Sequence, residues 1–240
     1  LLKDIAPNHD LHDKAQAQLS KLSNQIVAAA QRQLTAGNPD QAVALLDLID
    51  DGANQPEGMA DLKALAEAAR FAAGGTASDF QSAISEASKL GRDRPLWGQA
   101  QAAIGRWQRD MTYAKTLEEA NQLASRGDAN ALNAAIVEAS KIPASSQKRR
   151  QANEAIARWG GQIQELRDRP RLDQGDRFAA TGSLTGLQAA LQEVNAIPQG
   201  SPLYDEARDR RNRWQNELER LEDEPILAQA REFGDAGEYD

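Results

Sequence analysis

The sequence contains no cysteine. Disulfides, thiol nucleophiles and thiolate metal sites are therefore excluded, and no redox compartment is singled out. Aromatic residues make up only 5% of the 240 positions, so a core must be built largely from small and aliphatic side chains. No apolar run approaches the ~20 residues that a membrane-crossing helix needs, and no signal-peptide pattern is visible. Basic residues are in deficit: 28 Lys and Arg stand against 36 Asp and Glu, giving a net charge of -8. An acidic surface repels phosphate backbones, which disfavours nucleic acid as a main partner. Histidine occurs only at positions 9 and 12.

What is present is a folded balance, 40% hydrophobic and 27% charged, with an apolar content dominated by Ala and Leu that favours close helix packing. Within it one dipeptide recurs: Arg106-Trp107, Arg158-Trp159 and Arg213-Trp214. Matching residue types surround each copy at fixed offsets from the Trp. Ile84, Ile136 and Leu191 hold place -23, and Glu86, Glu138 and Glu193 hold place -21. Leu90, Ile142 and Ile197 hold place -17, Ala100, Ala152 and Ala207 place -7, and Met111, Ile163 and Leu218 place +4. The spacings, 52 and 55, define an internal repeat and hence a stack of similar units.

The units are expected at roughly 1–37 (partial), 38–75 (shortened), 76–127, 128–182 and 183–237, all within one array. Glycines at 75, 127, 182 and 237 close them. Each full unit reads as a short helix (78–90, 129–142, 184–196), a turn and a longer helical arm. Residues 9–36 read as one long helix carrying a degenerate copy, with Ile5, Ala15, Leu22 and Ile26 at the -17, -7, Trp and +4 places. Gly37-Asn38-Pro39 reads as a helix stop, a cap and a first turn, followed by helices over 39–50 and 58–73 around a loop at 51–56. Pro170 and Pro225 are expected to split their arms. Because residue 1 is Leu and Phe233 to Asp240 read as the opening of another unit, the expectation is a piece of a longer protein, with a location in the extracytoplasmic part of a membrane-anchored protein as one option.

The repeated residues read first as architecture. Trp, the +4 apolar residue and the -7 Ala share a helix face, so the indoles are expected to anchor packing between helices. The recurring charges suggest pairs, Glu86–Arg106, Glu138–Arg158 and Glu193–Arg213, that set register between helices. The same glutamates are a full unit apart and cannot converge as a catalytic pair. His9 and His12, with Asp10 and Asp13, could suit a metal by spacing but lack a third ligand; a solvated helix start with Asp as cap is the expected role. The basic runs at 148–150, 167–171 and 208–213 are interleaved with acids and amides and read as solvated faces with i,i+4 pairs. Gly74-Gly75-Thr76 lacks the Lys of a phosphate loop. No cofactor, metal or catalytic residue is assigned.

The recurring Ala and Gly positions on paired helices resemble tetratricopeptide-type repeats, over nearly the whole chain, although the period departs from the usual 34. The stretch Ile197-Pro-Gln-Gly-Ser-Pro-Leu-Tyr-Asp-Glu-Ala207, with Arg213-Trp214, is similar to repeats of large cyanobacterial proteins labelled chromosome-segregation-ATPase-like. No nucleotide motif accompanies it here. Taken together, the expectation is an all-α, right-handed solenoid of stacked antiparallel helical hairpins. It would act as a non-enzymatic scaffold for a protein or peptide partner, with self-association possible and no membrane insertion by this stretch. Gln81, Asn130, Asn133 and Gln188 are candidate contacts by their solvent-facing phase. The alternatives are a structural spacer, or a substrate-holding region of an enzyme whose catalytic domain lies elsewhere.

Overall fold

A computed structural model describes residues 11–49 and 55–235. Among the described residues the chain is all-helical, with nine helices and no strand. They are α1 (His12–Thr35), α2 (Pro39–Leu46), α3 (Met59–Gly74), α4 (Ala77–Ala87), α5 (Trp97–Ala124), α6 (Ala129–Ser140), α7 (Arg149–Ala179), α8 (Leu184–Asn195) and α9 (Tyr204–Asp235). Two compact units divide the chain. One comprises residues 1–118 and 142–149, the other 119–141 and 150–240.

The helix boundaries follow from stop and start signals that repeat. Gly37, Gly75, Gly127 and Gly182 all hold positive φ, between 62° and 83°. That left-handed geometry satisfies the last carbonyls of a helix and costs a residue with a Cβ roughly 1–2 kcal/mol. The residue after three of these glycines caps the next helix. The hydroxyls of Thr76 and Ser183 and the carboxylate of Asp128 accept from the backbone amides of Asp79, Gly186 and Ala131, respectively. Asn38 stands at the cap of α2, but its amide instead donates to Gln33 at 3.0 Å. A Cβ at Gly127 would meet no atom within 4 Å, so the effect of substitution is confined to the backbone. Gly127→Ala is expected to lower stability by about 1–2 kcal/mol and Gly127→Asn by less, as read from urea denaturation midpoints.

Thr76 and Asp79 complete a capping box, with the Thr76 amide donating to Asp79 at 3.0 Å and the Asp79 amide donating to Thr76 at 3.1 Å. The Thr76 hydroxyl, and after it the Thr76 amide, hold the Asp79 carboxyl below its ordinary value of 3.8. In the second unit, Arg210 does the same for Glu206, against an ordinary value of 4.5. A carboxylate depressed on folding contributes stability above its unfolded pKa and loses it as pH falls through the folded one. The denaturation midpoint should therefore drop as pH falls below the range of 3.8 to 4.5. Asp79→Asn combined with Glu206→Gln should flatten that drop in a urea titration across pH.

The turns between short helices and arms are built alike. Arg94, Ser146 and Ser201 donate their amides to Gly91, Pro143 and Pro198, and Trp97, Arg149 and Tyr204 donate theirs to Arg94, Ser146 and Ser201, all at 2.9–3.1 Å. These three sets stand at the spacings of 52 and 55 that the tryptophans show. The arms differ in length: α3 has 16 residues and α5 has 28.

Pro170 and Pro225 do not split the arms, contrary to the sequence expectation. Both lie inside continuous helices, α7 and α9. A helical proline forfeits one hydrogen bond to the carbonyl four residues back. For Pro170 that residue is Leu166, itself 46% exposed, so water can serve the freed carbonyl.

The core of the second unit gathers Leu172, Leu187, Ala190, Val194, Ile197, Leu203, Ala207 and Trp214. In the first unit, Leu65, Ala87, Leu90 and Ala100 cluster with Trp107 against them. Leu172, Val194, Ile197, Ala207 and Trp214 are their counterparts two repeats on, each at the same offset of 107 in the numbering. Two indoles in separate units thus occupy equivalent surroundings, which is the repeat expressed as packing.

Candidate partner-binding surface

The short helices bury one face and expose the other. On the buried faces lie Phe80, Ala83 and Ala87 of α4, Leu132, Ala135 and Ala139 of α6, and Leu187, Ala190 and Val194 of α8. Ile84, Ile136 and Leu191, the apolar residues first noticed at this level, are only half-buried. On the opposite faces Gln81, Asn133 and Gln188 are all exposed, as is Asn130. The first three hold one register position and follow the same repeat spacings as the tryptophans. Each helix therefore presents a carboxamide, which carries both a donor and an acceptor. The Asn133 amide already donates to the Ala129 carbonyl at 2.8 Å, leaving its oxygen to face solvent.

The proposed glutamate–arginine pairs are not made. Glu86 pairs with Lys89 at 2.6 Å and Glu138 with Lys141 at 2.5 Å, each one turn along its own chain segment, while Glu193 meets Arg171 at 3.5 Å. Arg106, Arg158 and Arg213 are exposed. The geometry of the helix keeps these partners apart. A residue next to a Trp points about 100° away from it around the axis, so an arginine at that place cannot follow the indole toward the short helix. Trp159 and Trp214 are buried, at 3% and 4% exposure, and Trp107 is half-buried.

Two buried carboxylates escaped sequence reading. Asp61 is 3% exposed and accepts from Arg94 through Nε at 2.7 Å and through Nη2, both on Oδ1; its Oδ2 is buried without a partner. Asp168, 2% exposed, accepts from the Gln164 amide at 2.7 Å. Asp61 and Asp168 are separated by two repeat spacings, as are Arg94 and Ser201. That shared interval was the available signal. Tyr113 fills the place between the two aspartates and hides it.

Charged side chains elsewhere pair with one another. Arg210 forks onto Asp176 at 2.8 and 3.0 Å and reaches Glu206 at 2.8 Å, while Arg169 joins Glu206 to Glu165 at 3.1–3.2 Å. The basic runs at 167–171 and 208–213 thus supply i,i+4 pairs, and Arg210 and Arg169 also tie α7 to α9. A hollow of about 480 Å³ in the first unit is lined by Asp40, Glu67, Arg70 and Phe71. Arg70 is held there by Asp40 at 2.8 Å, and Phe71 and Glu67 complete the lining. His12 opens α1, whose cap is Leu11 with no side-chain bond; Asp13 lies in its first turn, while His9 and Asp10 fall outside the described residues. No group of three His, Asp or Glu among the described residues is placed to hold a metal ion. No described helix is long and apolar enough to cross a membrane. Comparison with protein-family models, curated proteins and solved structures finds no match to the chain.

Proposed function

We propose that this chain is a non-enzymatic scaffold that binds a protein or peptide partner through the polar faces of its short helices. The supporting observation is the exposed carboxamide kept at one register position in three helices, Gln81, Asn133 and Gln188. Carboxamides suit recognition of peptide groups, because each offers one strong acceptor and two donors without the desolvation cost of a charge. In this reading the units stack as a right-handed, tetratricopeptide-like solenoid, a class that uses its repeated faces for binding. Origin in the cyanobacterial repeat proteins named above belongs to the same reading.

The test is capture on immobilised chain, comparing the natural sequence with a variant carrying Gln81→Ala, Asn133→Ala and Gln188→Ala. A partner retained by the first and lost by the second supports the proposal. Retention by both, or by neither over a range of salt, counts against it. All three positions are exposed, so the variant should keep its helical circular dichroism.

A further inference from the structure

The second half of α9 carries an apolar stripe that nothing described in this chain covers. Ile226, Leu227 and Phe233 are 65%, 50% and 50% exposed. Their repeat equivalents show what such a stripe packs against. Leu227, Ala230 and Phe233 are the counterparts, one repeat on, of Leu172, Gly175 and Phe178 of α7. There Leu172 is fully buried and Phe178 is packed against the same core, which holds Trp214 from the first half of the next arm. A Cβ placed on Gly175 would lie 3.0 and 3.1 Å from Cη2 and Cζ3 of the Trp214 ring. An arm's second half is thus the seat for the anchor residue of the arm that follows.

At the other end of the described residues one anchor is exposed. Leu22 of α1 holds the place of the tryptophans, yet it is 51% exposed where Trp159 and Trp214 are 3% and 4%. Among the described residues no arm precedes α1. The two faces match in size: Gly175 with the large Trp214 becomes Ala230 with the smaller Leu22, so the added Cβ is offset by the smaller anchor. They also match in charge. From 217 to 235, α9 has seven acids and two arginines, a balance of -5, while α1 has one acid and three basic residues, a balance of +2. Opposite fields favour encounter and set orientation.

We propose that α1 of one copy docks on the second half of α9 of another, with Leu22 seated against Ala230 and flanked by Leu227 and Phe233. The contact is heterologous, joining different surfaces of two identical chains, and so extends head to tail. It does not depend on the carboxamide faces.

Sedimentation velocity over a concentration series tests this on three proteins: the natural chain, Leu22→Asp and Leu227→Asp. Both substituted positions are exposed, and circular dichroism verifies that each variant is folded. The natural chain should form oligomers that grow with concentration. Each variant alone should shift that association to concentrations at least about tenfold higher, the effect of placing a charge in an apolar contact. Mixed in equal amounts, the two variants should form a complex that stops at two chains, because each retains the surface that the other has lost. A natural chain that stays monomeric at every concentration, single variants that assemble as the natural chain does, or a mixture that forms no dimer would each overturn the proposal.

Discussion

Replacing Trp214 with Ala is expected to lower stability by roughly 3–5 kcal/mol, the range for removing a large buried aromatic side chain. The ring is 4% exposed and belongs to a core with Leu172, Leu187, Val194 and Ile197. Its far edge rests over Gly175, where even a methyl group would be tight. The walls around the ring come from α7, α8 and α9, so a void left there is hard to close by a local shift. Trp107→Ala should cost clearly less, since that indole is only half-buried and part of its area is never withdrawn from water. Urea denaturation of the two variants checks the order. Equal losses would show that burial of the ring does not set its contribution. A double-mutant cycle sharpens the test. Gly175→Ala should cost more beside Trp214 than in the Trp214→Ala background, where its Cβ enters vacated space.

The sequence was informative wherever one residue type is forced on every copy. A positive φ admits glycine far more readily than any other residue, so Gly75, Gly127 and Gly182 marked the helix ends. The burial of Trp159 and Trp214 followed from their sharing a face with Ala152 and Ala207, which are fully buried. The short-helix cores were harder to see, because Phe80 is matched by Leu132 and Leu187 and volume is shared among neighbours instead of being fixed at a position. Charges misled for a different reason. An exposed ion pair is worth little, so Glu86 and Glu138 take whichever cation lies one turn away, and recurrence of both partners does not make them meet. For the carboxamide faces, periodicity correctly placed Gln81, Asn133 and Gln188 in solvent, but phase alone carries no information about what they touch.

Pro170→Ala is expected to raise stability by about 2 kcal/mol. An interior helical proline costs roughly 3 kcal/mol, while the same ring stiffens the unfolded chain and returns about 0.4–1 kcal/mol. The position is exposed, so alanine loses little packing, and its amide can donate to the Leu166 carbonyl. Pro225→Ala should give a smaller gain, because residues 222–233 are all exposed and fewer contacts are tied to the continuity of that stretch. The comparison bears on why α7 tolerates a proline at all. Asp168 is buried two residues before it and Leu172 two residues after it, so tertiary contacts grip the helix on both sides of the missing bond. Thermal and urea melts of both variants read this directly. If Pro170→Ala lowers stability, the ring must fix a bend in α7 on which the seating of Leu172 and Gly175 beneath Trp214 depends. In that case Pro170→Ala and Trp214→Ala should be coupled, their combined loss falling short of the sum of the two.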